Sequence, residues 1–109
     1  GRKMQIIDNR EKFEELISAG NVIIQFSAGW CQPCKVLSRT MTSVTPEHSD
    51  VYFYKVDIDS MDRSLINNYN VRSVPRLLMF VNGEDVAELI GARGADEINS
   101  FINTNKENS

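Results

Sequence analysis

The sequence of 109 residues predicts an α/β domain in which helices cover both faces of a small mixed β-sheet. Hydrophobic residues form 41% of the chain and charged residues 25%, which is the balance of a globular domain rather than of a disordered or coiled-coil chain. Helical and β-branched segments alternate through the first part of the sequence, which is typical of parallel strands joined by helices. A turn signal near the end then indicates an antiparallel hairpin.

Local patterns predict each element of the first part of the chain. Asp8 followed by Glu11 forms a capping-box-like helix start, and apolar residues recur at helical spacing until Gly20 provides a stop. The β-branched run over residues 22–26 is long enough for a buried strand and too short for a helix. The elements that follow are a helix over residues 31–44, a loop over 45–50, a strand over 51–58 and a helix over 61–69.

The remaining elements are a hairpin and a last helix. A strand over residues 77–81 continues through Asn82-Gly83, a strong hairpin signal, into a strand over residues 86–90. Two glycines then break the chain before an amphipathic helix. We expect residues 1–3 to precede a natural start at Met4, and residues 103–109 to form a polar, frayed tail on a single domain that spans 1–109.

Charge and hydropathy exclude two classes of partner. Twelve basic and fifteen acidic side chains give a net charge of -3, so the chain lacks the basic surface that nucleic acid requires. The longest unbroken apolar run, residues 77–81, is too short to cross a bilayer. No secretory segment precedes the first helix, so we expect a soluble, cytoplasmic monomer, with an exported form whose leader has been removed as the alternative.

The motif that carries chemistry is Cys31-Gln32-Pro33-Cys34, which follows a predicted buried strand and opens a helix. Unpaired N–H groups at a helix N-terminus favour a thiolate, and the spacing lets Cys34 reach the sulfur of Cys31. The same spacing is half of a zinc site, but His48, the only histidine, supplies at best a third ligand. We therefore expect no metal, and we expect His48 to be a solvated loop residue. An inert buried cysteine pair is the other alternative.

The chain resembles the thioredoxin family over about residues 5–103. The resemblance rests on several spaced motifs in the right order, which makes it more specific than the two cysteines alone. They are Trp30-Cys31-Gln32-Pro33-Cys34-Lys35, Val56-Asp57-Ile58-Asp59, Val71-Arg72-Ser73-Val74-Pro75, Phe80-Val81-Asn82-Gly83 and Gly91. The resemblance implies a thioredoxin fold and thiol–disulfide exchange.

The resemblance also implies roles for individual residues. Cys31 would attack a target disulfide and Cys34 would resolve the mixed disulfide. Pro75 would be a cis-proline that faces the disulfide, with Val74 offering backbone hydrogen bonds to an extended substrate. Further substrate contacts are expected from Trp30, Gln32, Pro33 and Gly91. The resemblance implies that the chain binds no cofactor. After the chain has reduced a disulfide-containing target protein, a separate thioredoxin reductase that draws on NADPH would reduce the Cys31–Cys34 disulfide again.

Four residues depart from the family pattern. Gln25 stands where the family has a buried acid behind the cysteines, so proton transfer there is in question because an amide cannot titrate. Lys55 matches the family's buried lysine but lacks its customary partner, and a solvated strand lysine is the alternative. The other departures are Ser27 for an aromatic residue, Arg76 for a threonine and Arg39 for a helix-kinking proline.

Three functional hypotheses remain open from the sequence. They are a disulfide reductase, an oxidant or isomerase of the same fold in an oxidising compartment, and a non-enzymatic binding subunit. Members that oxidise often carry a histidine between the cysteines, and Gln32-Pro33 offers no cation there, which favours the reducing direction. The G-x-x-G spacing at residues 91–94 occurs in one RNA-binding loop, but it follows a strand here and predicts a turn.

Overall fold

Five strands and four helices make up the computed structural model, which describes residues 4–107. The expectation for residues 1–3 lies outside this range. In chain order the elements are β1 (Gln5–Ile6), α1 (Arg10–Ile17), β2 (Asn21–Ser27), α2 (Gln32–Val44), β3 (Val51–Asp57), α3 (Arg63–Asn68), β4 (Arg76–Val81), β5 (Glu84–Ile90) and α4 (Ala95–Asn105). The strands form one sheet in the order β1-β3-β2-β4-β5. The predicted α/β class is confirmed.

The sheet is mixed because parallel and antiparallel pairs meet at β2. This central strand runs parallel to β3 and antiparallel to β4, while β1 and β5 form the two edges. All residues of β2 are buried, which fits a strand covered on both faces. Asn82 and Gly83 join β4 to β5 with φ angles of 49° and 91°, the left-handed conformation that a two-residue hairpin turn requires.

Two hydrophobic cores lie on opposite faces of the sheet. On one face, Phe13 of α1 and Leu65 of α3 pack against Phe80 of β4. On the other face, Leu37 of α2 and Ile98 of α4 pack against the sheet. Helices therefore cover both faces, as the element order predicts. Within residues 4–107, every helix is too short or too polar to cross a bilayer.

The boundaries of α1 differ from the prediction. The helix is capped by Asn9, whose side chain accepts a hydrogen bond from the Lys12 backbone N–H at 2.8 Å, so the prediction of Asp8 as the start is wrong by one residue. The helix ends at Ile17, and Gly20, with φ of 78°, serves the turn into β2 rather than the helix end. Boundaries of the other predicted helices and strands of residues 21–90 lie within two residues of the structure.

Two short elements of the structure were not predicted from the sequence. Strand β1 has only two residues, and it pairs in parallel with Tyr54 and Lys55 of β3. A single turn of 3-10 helix, Thr45–Glu47, lies within the predicted loop. Neither has enough length for a recognisable hydrophobic period, so both depend on contacts that the rest of the fold supplies.

The prediction of a frayed tail from residue 103 is wrong as far as residue 107. Helix α4 continues to Asn105, and Glu107 then exchanges two hydrogen bonds with the Asn21 side chain through its backbone N–H and C=O, at 2.8 and 3.0 Å. The Asn82 amide also donates to Glu107 Oε2 at 2.7 Å. These bonds fasten the end of the chain to the start of β2 and to the hairpin.

The prediction that His48 is solvated is also wrong. Its relative exposure is only 5%, its Nε2 lies 2.7 Å from Asn99 Oδ1 on α4, and its ring lies beside that of Phe53. Neighbouring polar residues in the sequence suggested a loop in water, but α4 covers the loop. The amide partner satisfies the imidazole in the interior, so this histidine has a structural environment.

Candidate active site

The two cysteines lie at the N-terminus of α2 and are joined by a disulfide with a Cα–Cα distance of 5.3 Å. Cys31 occupies the N-cap position, and its Sγ accepts a hydrogen bond from the Cys34 backbone N–H at 3.2 Å. A backbone donor and the positive end of a helix both stabilise a sulfur anion, and Cys31 becomes one when the disulfide is reduced. Pro33 fits the first turn, where no backbone N–H is needed.

The disulfide is buried, whereas the tryptophan that precedes Cys31 in the chain is exposed. The relative exposures of Cys31 and Cys34 are 4% and 1%, whereas that of Trp30 is 70%. The Trp30 indole donates from Nε1 to Asp59 Oδ2 at 2.8 Å, which fixes the ring beside the cysteines. Gln32 is exposed next to them on the first turn of α2. An exposed apolar ring, held by Asp59, therefore immediately precedes the reactive cysteine in the chain.

The segment before β4 lies against the reactive sulfur. The carbonyl oxygen of Val74 is 3.8 Å from Cys31 Sγ, and the Val74–Pro75 peptide bond is cis, which is the isomer that the resemblance implies. Gly91 donates its backbone N–H to the Pro75 carbonyl at 2.9 Å and has a φ of 94°, which favours glycine at this position. The structure thus brings Val74, Pro75 and Gly91 together beside Cys31.

Gln25 and Lys55 both form hydrogen bonds to Ser38, a residue that was not predicted from the sequence to belong to the site. The Gln25 side chain is fully buried and donates from Nε2 to Ser38 Oγ at 3.1 Å, while Lys55 Nζ donates to the same oxygen at 2.9 Å. The buried Gln25 Oε1 has no hydrogen-bond partner. Lys55 is half-buried rather than fully solvated. Ser38 follows Cys34 by one helical turn, and this spacing is the signal that could have identified it.

An open cavity with polar side chains in its wall lies beside Cys34, between α2 and the strands. It has a volume of about 380 Å³, and its walls include Cys34, Ser38, Lys55, Ser27 and Asp57. A second cavity of about 440 Å³ continues along α2 and shares Ser38 and Lys55 with the first. Cys34 therefore packs among apolar residues but also borders a space that is lined by a hydroxyl, an ammonium group and a carboxylate.

Arg76 is a second residue whose role the sequence did not indicate. Its side chain is buried, and the guanidinium donates to Asn70 O at 2.9 Å, to Glu88 Oε2 at 3.2 Å and to Ser73 Oγ at 3.4 Å. These bonds hold the segment that leads to Val74 against β4 and β5. A buried arginine replaces the family's threonine here because Glu88, on the neighbouring strand, neutralises it.

We expect Arg76→Met to lower the free energy of unfolding by about 2 kcal/mol, because charged hydrogen bonds to the loop are lost. Disulfide reduction should slow several-fold as the Val74 carbonyl becomes less well positioned. Urea unfolding and an insulin-reduction assay measure the two effects. Arg72→Met is the matched control, since Arg72 lies on the same loop but is exposed. Equal effects of the two substitutions would contradict this role for Arg76.

A disulfide at a helix N-terminus, beside a cis-proline, defines a thiol–disulfide oxidoreductase. The described part of the chain contains no cluster of metal-ligating side chains. A family model described as Thioredoxin matches residues 4–104. The chain belongs to the thioredoxin family.

Known proteins support the same assignment. The chain is 36% identical to a thioredoxin from Chlamydia trachomatis serovar D over 94 residues, which cover 86% of this chain and 91% of that protein. It is 38% identical to thioredoxin C-2 from Corynebacterium nephridii, with 77% and 78% of the two chains covered. The structure of Plasmodium falciparum thioredoxin has a TM-score of 0.86 at 27% identity, covering 94% of this chain and 99% of the other.

The relatives and structural neighbours determine which hypothesis holds. They support a thioredoxin-type disulfide reductase whose redox-active group is the Cys31–Cys34 disulfide. An oxidant, an isomerase or a non-enzymatic binding subunit is not favoured. The family generally implies two kinds of partner, a reductase and disulfide-containing target proteins.

Proposed function

We propose that Cys31 is the attacking thiol and Cys34 the resolving thiol in the reduction of protein disulfides. The observation that carries this assignment is the hydrogen bond from the Cys34 N–H to Cys31 Sγ, at the positive end of α2. It stabilises Cys31, rather than Cys34, as the anion. Cys31 Sγ also lies on the side of Val74, where a peptide can approach, whereas Cys34 lines the cavity behind.

The reaction transfers two electrons in two exchanges. The Cys31 thiolate attacks one sulfur of the target disulfide, forms a mixed disulfide and releases the other target sulfur as a thiolate. Cys34 then loses its proton and attacks Cys31 Sγ, which breaks the mixed disulfide and releases the second target thiolate. The protein is left oxidised, with the Cys31–Cys34 disulfide, and the target is left as a dithiol.

The target peptide would bind in an extended conformation across the segment 74–75. The backbone of Val74 would pair with it, as in strand addition to a sheet edge. Pro75 and Gly91 would shape this surface, and Trp30, Gln32 and Pro33 would cover the reactive sulfur from the other side. Trp30 supplies most of the apolar contact because its ring is already exposed and held by Asp59.

A separate reductase that draws on NADPH would return the protein to the dithiol after each cycle. Such a cycle runs in a compartment whose thiols are kept reduced, which supports a location in the cytoplasm. A monomer is sufficient for the cycle because one chain supplies both cysteines. Reduction of insulin by the protein, with NADPH and a thioredoxin reductase as the electron source, tests the whole cycle. The Cys31→Ser,Cys34→Ser variant is the control and should give no NADPH oxidation.

The reduction potential separates the reducing function from an oxidising one. We expect a value of about −270 mV, the potential of a reducing thioredoxin, because neither Gln32 nor Pro33 adds a cation that would stabilise the reduced form. Equilibration with a glutathione couple or a reference thioredoxin measures it. A value above about −180 mV would assign the protein to oxidants or isomerases instead.

A further inference from the structure

The cavity behind Cys34 is lined by side chains from one face of the sheet, because successive side chains of a strand point to opposite faces. Lys55 and Asp57 are two residues apart on β3 and so point the same way, and Ser27 of β2 pairs in register with Asp57. Helix α2 adds Cys34 and Ser38, one turn apart. A thiol, a hydroxyl, an ammonium group and a carboxylate therefore share one space of about 380 Å³.

Cys34 needs a proton acceptor that Gln25 cannot provide. In the proposed function Cys34 must become a thiolate before it attacks, and its relative exposure is only 1%. The amide of Gln25 neither gains nor loses a proton, and its Nε2 is already bonded to Ser38. The charged groups around the cavity are Lys35 on α2 with Lys55 and Asp57 on β3, and the strand β2 contributes none. Among the described residues that line it, Asp57 is the one carboxylate.

We propose that Asp57 accepts the proton of Cys34 through a water molecule in this cavity; the inference rests on the proposed function. A single water needs about 30 Å³ and two to four polar partners, and Ser38, Lys55 and Asp57 supply them. Asp57 is half-buried, at the end of β3, so it contacts both the cavity and solvent. The Asp59 backbone N–H donates to Asp57 Oδ1 at 2.8 Å, which holds the carboxylate in place.

The proton transfer accompanies resolution of the mixed disulfide. Cys34 gives its proton to the water as the water gives one to Asp57, and the Cys34 thiolate attacks Cys31 Sγ. The bond between Cys31 and the target breaks, and the target sulfur leaves with the electron pair. Asp57 then passes the proton to solvent or to the departing thiolate. No electron acceptor beyond the mixed disulfide is required.

Asp57→Asn tests the proposal because asparagine keeps the oxygen that accepts from Asp59 and loses the base. A symmetric nitrophenyl disulfide releases one coloured thiolate when Cys31 attacks and a second on resolution, so stopped-flow absorbance separates the steps. We expect Asp57→Asn to slow resolution about tenfold at pH 7 without changing the first step. This is less than the roughly 10²-fold or more of a directly placed general base, because a water relays the proton. The difference should shrink toward pH 9, where hydroxide in solution competes as the base.

Three comparisons make the test specific. Asp85→Asn removes the same charge from an exposed site on β5 and should leave both steps unchanged. Asp57→Glu keeps a carboxylate and should retain most of the rate, and added formate should accelerate Asp57→Asn but not the wild type. The proposal is overturned if Asp57→Asn resolves at the wild-type rate from pH 6 to 9, or if formate has no effect. Failure of the wild type to release the second thiolate would instead refute the roles of Cys31 and Cys34.

Discussion

Cys34→Ser is expected to convert the protein from a reductase that turns over into a trap that accumulates mixed disulfides through Cys31. The Cys31 sulfur keeps its helix-end position, so the first exchange proceeds. The second exchange then depends on external thiols, and a tethered thiol has an effective concentration far above theirs. We expect multiple turnover of insulin to fall by ~10³-fold or more. Non-reducing electrophoresis and mass spectrometry measure the trapped complexes.

The converse variant, Cys31→Ser, supplies the control for this assignment. It leaves Cys34 at 1% exposure, facing the cavity rather than the Val74 surface, so it should trap few targets. The double variant Cys31→Ser,Cys34→Ser should trap none. Covalent complexes that form mainly through residue 34 would reverse the two roles and would show that targets reach the sulfur from the cavity side.

Gln25→Asp is expected to accelerate resolution of the mixed disulfide at pH 7, by up to about 10²-fold. The substitution places a carboxylate in the fully buried position next to Ser38, behind Cys34, where it can take the proton that Gln25 cannot. The gain should shrink toward pH 9 as hydroxide in solution competes as the base. Stopped-flow measurement of the second exchange from pH 6 to 9 determines both. Gln25→Asn is the control, because asparagine has the size of aspartate but cannot act as a base. Equal rates of resolution in Gln25→Asp and Gln25→Asn would contradict the prediction.

The same substitution should destabilise the protein, more at pH 8 than at pH 5. Burial disfavours the charged form and raises the pKa of a carboxyl group in the folded state above its unfolded value. The free energy of unfolding therefore falls as pH rises from the unfolded-state pKa to the folded-state pKa. The loss is about 1.4 kcal/mol for each unit by which the folded-state pKa exceeds the unfolded-state pKa. Lys55 offsets part of this loss because it regains an acidic partner. Urea unfolding of wild type and Gln25→Asp at both pH values measures the difference.

Local patterns in the sequence were sufficient for the elements that position the cysteines. The β-branched run of β2, the helix start at Cys31 and the Asn82-Gly83 turn each depend on neighbours in the chain, and the structure contains all three. Strand β1, in contrast, forms only because it pairs with β3, which lies far along the chain. The burial of His48 depends on Asn99, which lies 51 residues farther along the chain.

The site shows the same division between local and distant causes. The cysteine motif identified the disulfide, and the family resemblance identified Val74 and Pro75. Ser38 was predictable in principle from helical spacing, but its link to Lys55 depends on how α2 lies against β3. The partners of Arg76 belong to a loop and to β5, so only the assembled sheet explains how the terminal nitrogens of a buried guanidinium are bonded there, while its Nε has no partner.

The bonds between Glu107 and Asn21 bear on how the protein can be attached to a surface. Strand β2 begins at Asn21, to which Glu107 is bonded, and ends at Ser27, which lines the cavity beside Cys34. Glu107 and the redox-active sulfurs therefore lie at opposite ends of β2. A strand of this length separates them by about 20 Å. A linker attached at Glu107 would therefore hold the molecule by the end of the sheet opposite the disulfide and present Cys31 outward. An electrode or column coated with the protein in this orientation would present the Cys31–Cys34 pair to dissolved disulfides and could be used repeatedly to reduce them.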